Sequence, residues 1–460
     1  MDQPIESATD HAQDAGEEPA CSPASLPSVT IKPGWAHWSS ALDQVAQRSP
    51  RDARGELGLD PKRPVVMSGH QPIVFHNGIL AKLIALDEAA KRTNAQAVWV
   101  VPDQDAINPG TVRVPIGTGE ALRVQTIELL ADDAIADGVA VGSAPAAPIR
   151  MPTLREANAL EPLAQWLDQY AGMESLAAQF AYATIEHACE RLGIEVPTIV
   201  FASQLLQTDA MGHSVDAMRA DAHDWASTYN TAVAQHPEAG VRPLAIDGQR
   251  IELPLWGCRA GEARVAIDSE NIDSFDQEEL MPRGLLMSAL ARALLGELFI
   301  HGTGGWIYDK ISEQWFSDVL GIELAPMAMV TATQRLDLGF GADDAIDLDH
   351  TRWQAHHAPH TPSMVGDDKA QLKKDQLVEQ IASHTPKSPE REELYQQLQD
   401  LLDAYRDHHR EPINAYRARV ERGIELGRQI ELGNDRTWAF VFFNDQQLAA
   451  LDRTTRSLMR

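Results

Sequence analysis

The apolar positions of this chain fall into short unbroken runs separated by stretches of helical spacing. The run at 64–68, carrying Val65, Val66 and Met67, has the length of a buried strand. After a loop at 69–77, Leu80, Leu83, Ile84 and Leu86 share one face of a helix predicted over 78–91, with Asn77 as its N-cap. A second strand run follows at 97–101. Strand, helix and strand in this order make a βαβ unit, which requires parallel strands and a right-handed crossover. Helical patterns recur at 155–169, 172–192 and 214–235, and 197–201 is another short strand. Between 241 and 268, β-type segments separated by glycines predict a hairpin or small antiparallel insert. Pro282 opens a helix to about 295, which feeds the apolar run at 298–300. A loop with Gly302, Gly304 and Gly305 comes next, and then Ile307, Ile311, Trp315 and Val319 at a spacing of four. Gly321 and Pro326 bracket a last extended segment towards Thr333.

Beyond about 367 the composition shifts to Gln, Glu, Lys, Arg and Leu. Ser388 and Pro389 start a helix as cap and first-turn proline. Leu394, Leu398, Leu401, Leu402 and Tyr405 line one stripe of it, and Ile413, Tyr416, Val420 and Ile424 continue the pattern. Such a stripe suits a helix–helix seam, so a homodimer through 389–430 is expected. The chain closes with an apolar segment at 438–443 and a short helix. The organisation read from these patterns is an acidic disordered tail at 1–32 and a core at 33–240 carrying a helical insertion. A β insert follows at 241–280, the rest of the core with the glycine loop at 281–365, helical coiled coil at 366–432, and a segment at 433–460 that packs back on the core.

Charge narrows the function classes. The formal net charge of −28 over 460 residues argues against broad nucleic-acid binding, which needs a basic surface. No apolar run has the length of a membrane span, and no N-terminal signal pattern is present. Cys21, Cys189 and Cys258 are scattered and give neither a disulfide framework nor a metal motif. A cytoplasmic protein is expected.

The candidate chemistry sits in the loops after the strand runs, where open α/β sheets bind their ligands. Gly69, His70, Gln71, His76 and Asn77 follow the first run. Either imidazole can polarise or protonate a substrate near neutral pH; the competing reading is a loop hydrogen bond. Asp103 and Asp105 follow the second run and could orient a nucleophile, act as base or hold Mg²⁺; an Asx turn before Asn108 is the competing reading. At the third site Gly302, Thr303, Gly304 and Gly305 precede a helix, an arrangement that offers free N–H groups to an anion, with glycines able to take φ > 0. Arg283, His301 and Lys310 are the nearest basic groups, and His301 is the preferred catalytic one. His350, His356, His357 and His360 match no compact zinc spacing and are expected on a surface loop, so no metal site is assigned.

At these loops the sequence resembles the family of the cysteine-adding enzyme of bacillithiol biosynthesis, bacillithiol synthase. Its T-G-Q-Q-x-G-L-F stretch is matched by 68–75, its E-D-H-D-type acidic loop by 102–105 and its F-V-G-G-P-G-E-I-A-Y loop by 299–308. His70 stands where that family has Gln, and of the acidic loop only Asp103 and Asp105 match. The resemblance implies a Rossmann-like core similar to class I nucleotidyltransferases, inserted segments, and a coiled coil that dimerises. It also implies joining cysteine to a glucosaminyl-malate acceptor, here with a changed substrate.

The expectation is therefore an α/β protein with a Rossmann-like parallel sheet, an inserted α+β segment and a C-terminal helical hairpin. Its expected function is a carbon–nitrogen ligase or a transferase acting on a small polar metabolite, with a nucleotide or a phospho- or glycosyl group at the glycine loop. His70, His301, Asp103 and Asp105 would be catalytic. The cofactor stays open, with ATP or ADP and Mg²⁺ as candidates. The alternative is a catalytically silent nucleotide- or sugar-binding protein that recruits partners through its coiled coil.

Overall fold

The structure, a computed structural model, describes residues 26–45, 53–117, 121–151, 153–336, 338 and 346–460. The chain starts with β1 (Ser28–Lys32), α1 (Trp35–Val45) and α2 (Ala53–Glu56). The βαβ unit is β2 (Val65–Gly69), α3 (Asn77–Thr93) and β3 (Gln96–Val101). A hairpin, β4 (Thr111–Ile116) and β5 (Arg123–Glu128), precedes α4 (Glu161–Gln169), α5 (Leu176–Leu192) and β6 (Thr198–Phe201). Helices α6 (Ala202–Gln207), α7 (Asp209–Ala220) and α8 (Ala222–Gln235) lead to β7 (Ile246–Asp247), β8 (Arg250–Gly257), β9 (Val265–Asp268) and β10 (Leu280–Pro282). Then come α9 (Gly284–Leu294), β11 (Leu298–His301), α10 (Thr303–Leu320) and β12 (Met327–Thr333). The C-terminal part holds α11 (Leu348–His357), α12 (Asp368–Ser383), α13 (Pro389–His408), α14 (Arg410–Asn434) and α15 (Asp445–Ser457).

The fold is α/β. Its main sheet has the order β1-β12-β11-β2-β3-β6, with every neighbouring pair parallel except the edge strand β1, which runs antiparallel to β12. The period of two along each strand divides the core. Val66, Trp99, Val101 and Ile300 point to the face covered by α3 and α5, whereas Val65, Met67, Val98, Val100 and Phe299 point to the face covered by α8, α9 and α10. Both faces are buried, as parallel strands require. From β2 the chain winds outward through β3 to β6, and from β11 it winds the opposite way through β12. The direction of winding therefore reverses between β2 and β11. Such a switch point splays the two following loops to opposite faces and opens a crevice beyond the strand ends.

Several expectations change. Residues 28–32 are not part of a disordered tail: Val29 and Ile31 alternate inward and all five residues pair with β12; residues 1–25 of that expectation lie outside the described residues. The hairpin of β4 and β5 was not foreseen, although Val112, Val114 and Ile116 alternate cleanly. The histidine-rich stretch is helix α11 and a following 3₁₀ turn, not a surface loop. The Leu398, Leu402 and Tyr405 stripe, expected at a seam between subunits, is covered within the chain. It packs on Leu377 and Ile381 of α12 and on Val365, and the Tyr405 hydroxyl donates to the Ala358 carbonyl at 2.6 Å. Among the described residues no helix is long and apolar enough to cross a membrane.

The chain end returns to the core. Phe440 N–H donates to the Phe75 carbonyl at 2.7 Å, and His76 and Ala439 form a β-bridge. Arg113 lies over the Trp438 ring, and Arg456 of α15 pairs with Asp87 and Glu88 of α3.

Candidate functional site

The two loops at the switch point are shaped by close approaches. β2 ends at Gly69, where a Cβ would come within 2.1 Å of the Val100 carbonyl oxygen, so only glycine lets β2 and β3 lie together there. The helix that follows is capped by His76, whose Nδ1 accepts from the Gly78 N–H at 3.0 Å. The expected cap, Asn77, is instead buried in the first turn and donates to the Gln334 amide oxygen at 2.7 Å. β11 ends at His301, and α10 begins from Gly302 with no side-chain cap. The first N–H groups of this long helix are therefore unspent, and the helix dipole favours negative charge in front of them.

The glycines of this loop work differently from the expectation. None of Gly302, Gly304 and Gly305 takes a positive φ. Gly305 is needed because a Cβ there would fall 2.3 Å from Nδ1 of His301, whereas Gly302 has open space and Gly304 nearly so. The helix start can thus lie against an imidazole while leaving room in front of it.

His301 is 5% exposed, and its Nε2 lies 3.0 Å from Oδ2 of Asp309. Asp309 also accepts from Nη1 of Arg292 at 2.6 Å, Oγ of Ser312 at 2.7 Å and Oγ of Ser288. Burial alone would push the Asp309 carboxyl up, but His301, Arg292 and Ser288 outweigh it and hold the acid well below the usual carboxylate range. His301 is therefore clamped by an ion-pair network, with one edge on the site.

The crevice is a cavity of about 390 Å³. Gly69, His70, Gln71, His76, Asp105, His301, Gly302, Thr303, Gly304 and Gly305 line it, so ten of the residues expected at the site converge there. Burial first, then Lys82, hold the His70 imidazole down to about 3. His76 is held at about 4 by burial and then by Arg436 and Lys82. Both rings are neutral at neutral pH and can donate or accept a hydrogen bond there. Asp105 is pushed up by burial; it accepts from Nε2 of Gln71 at 3.1 Å and lies 3.8 Å from Arg264.

Four expected residues are elsewhere. Asp103 is 3% exposed and turns to Ser203, accepting from its N–H at 3.0 Å and from its hydroxyl at 2.5 Å. Burial pushes its carboxyl up to about 6. The two aspartates do not face the cavity together, which removes the paired carboxylates expected for Mg²⁺. Arg283 donates to Glu252 at 2.7 Å and lies over the Trp256 ring, away from the crevice. Lys310 is exposed on α10, and Asn77 is structural.

Sequence reasoning missed Lys82, Gln104, Tyr308 and Arg436, all of which line the cavity. Lys82 occupies the second turn of α3; its Nζ donates to the Gly69 carbonyl and lies 5.4 Å from the Trp99 ring centroid. Burial holds its ammonium down to about 7. The available signal was a lone lysine at 82 amid the otherwise apolar stretch 79–86. Gln104 is 1% exposed and its Oε1 has no hydrogen-bond partner. Burial pushes the Tyr308 hydroxyl up to about 12.

These groups can hold an anion at the start of α10, place a donor group beside Asp105 and Gln104, and offer an amine that is part neutral at pH 7. No protein-family model matches the chain, and no curated protein matches it. Among the described residues no cluster of three or more His, Cys, Asp or Glu is arranged to hold a metal ion.

Proposed function

We propose that this protein is a ligase or transferase acting on a small polar, anionic metabolite bound at the switch point of a Rossmann-like core. The observation that carries the reading is the convergence of the uncapped start of α10 with His70, His76, Lys82 and Asp105 on one 390 Å³ cavity. That volume lies within the range of small-molecule sites. An acidic group of the metabolite, or a phosphate of a nucleotide co-substrate, sits before the N–H groups at 303–305. The attacking amine or thiol is oriented by Asp105 and the Gln104 amide, and its proton passes to the Asp105 carboxylate, with the neutral His70 ring as a hydrogen-bond partner. Charge developing on the leaving side is met by the helix start and by the His301 edge. The resemblance to the cysteine-adding enzyme of bacillithiol biosynthesis supports this reaction class, and His70 in place of Gln supports a changed substrate.

A second reading is favoured by one specific observation. Asp103 and His301, two of the four expected catalytic groups, spend their side chains on Ser203 and Asp309. That arrangement suits a binding protein without turnover.

The two are separated by a small-molecule screen using native mass spectrometry of the purified protein, followed by kinetics on the hits. Gly304→Val, which projects into the cavity, is expected to abolish binding of an anionic hit, and His70→Ala to reduce turnover more than binding. Binding that survives Gly304→Val unchanged would overturn the placement of the site. Binding without any turnover would favour the second reading.

A further inference from the structure

The cavity carries two cations with no carboxylate set against them. Lys82 is 5% exposed, and its one hydrogen bond goes to a backbone carbonyl. Arg436 enters from the returning chain end and donates to Oγ1 of Thr333 at 3.3 Å. Among the described residues neither forms an ion pair, whereas Arg54, Arg292 and Arg456, which are also buried or partly buried, each hold a carboxylate. Among the described residues the only carboxylate lining the cavity is that of Asp105, which Gln71 and Arg264 already engage. A buried ammonium without a counter-charge is costly.

A further group is unspent. The buried Oε1 of Gln104 lacks a partner and lines the same cavity, so it awaits a donor. Lys82 and the start of α10 reach the crevice from opposite faces of the sheet, because α3 belongs to one core layer and α10 to the other. A ligand with one acidic group would satisfy one wall only.

We infer that the substrate is a small dianion, a dicarboxylate or a phosphorylated carboxylic acid, which bridges the start of α10 and the Lys82–Arg436 pair and donates a hydroxyl or amine hydrogen to Gln104. This rests on the reading that an anion binds at α10. The charged and titratable groups around Lys82 are His70, His76, Arg436 and Asp105 on the cavity wall, with Asp435 acting on His76 from behind; a second acidic group of the ligand supplies the counter-charge that Lys82 itself lacks among the described residues. Bound there, the dianion also keeps Lys82 protonated, so that binding above pH 7 draws a proton from the buffer.

Isothermal titration of the full chain with succinate, phosphoglycolate and butyrate tests this. Wild type is expected to bind at least one of the two dianions about tenfold or more tightly than butyrate, a difference of about 1.4 kcal/mol. The better of the two identifies the second acid as carboxylate or phosphate. Lys82→Met should bring the preference down to about threefold or less. Arg436→Gln, a change at a half-exposed position, should lower the preference in the same direction. Equal binding of all three acids by wild type, abolished by Gly304→Val, would overturn the dianion inference and leave the anion site standing. A dianion preference untouched by both Lys82→Met and Arg436→Gln would also overturn it. No binding of any acid at millimolar concentration would overturn both this inference and the reading beneath it.

Discussion

Replacing Lys82 by methionine should make the protein more stable near neutral pH. An ordinary lysine loses its proton near 10.5, whereas burial holds Lys82 down to about 7. At about 1.4 kcal/mol per pH unit, keeping the charge inside costs the fold up to about 5 kcal/mol. Methionine has a similar length and no charge, but it forfeits the bond to the Gly69 carbonyl and the contact with Trp99, each worth about 1–2 kcal/mol. The expected net gain at pH 7 is about 1–3 kcal/mol. Its pH dependence has a definite sign. Between about 7 and 10.5 the unfolded chain holds the Lys82 proton and the folded chain does not, so rising pH stabilises the wild type through this group. The variant lacks that response. In urea melts at pH 7, 8, 9 and 10, the gap between variant and wild type should close by about 1.4 kcal/mol per pH unit. A gap that does not change with pH, or a variant less stable at pH 7, would refute the reasoning. A gain in stability coupled to loss of dianion preference is the expected signature of a site residue kept at a cost to the fold.

Three further outcomes follow from the packing. Gly305→Ala places a Cβ 2.3 Å from Nδ1 of His301 and should lower stability by about 1–3 kcal/mol, read as a reduced urea midpoint. Asp309→Asn leaves Arg292 buried without its central counter-charge and should cost about 3–5 kcal/mol at pH 7. Because the Asp309 acid is held below its ordinary value, that difference should shrink as pH falls below about 4, which acid-melt curves would show. Leu402→Glu should unfold the packing of α13 on α12 without changing the oligomeric state, as seen by circular dichroism and light scattering; dissociation of a wild-type dimer would restore the subunit seam.

Much of the central sheet was legible because each strand run is short, apolar and bounded by a glycine, a proline or a helix start. β2, α3, β3, β11 and α10 are all visible in this way. The loops of the cavity followed from them, since parallel strands place their following loops along one edge. What stayed hidden depends on contacts far apart in the chain. That His301 is clamped follows from Asp309 and Arg292 meeting behind it, and that Asp103 turns away follows from Ser203, a hundred residues on. β1 was concealed by the acidic stretch before it, and its alternation, Val29 and Ile31, is too short to stand out alone. The leucine stripe of α13 had a clear pattern, but a pattern cannot say whether its partner is α12 or a second subunit.

The return of the chain end to the first crossover sets a timetable for biosynthesis. His70 and Lys82 leave the ribosome early, but Arg436 and the segment that pairs Ala439 with His76 are made some 360 residues later. At roughly 5–20 residues per second, the cavity stays open on that side for roughly 20–70 s of translation. During that interval Phe75, Trp99 and the outer side of α3 lack the cover that Trp438, Phe440 and α15 later provide. A nascent chain stalled before residue 436 would therefore show an exposed apolar surface, and a chaperone would have its longest access to this protein beside the switch-point crevice.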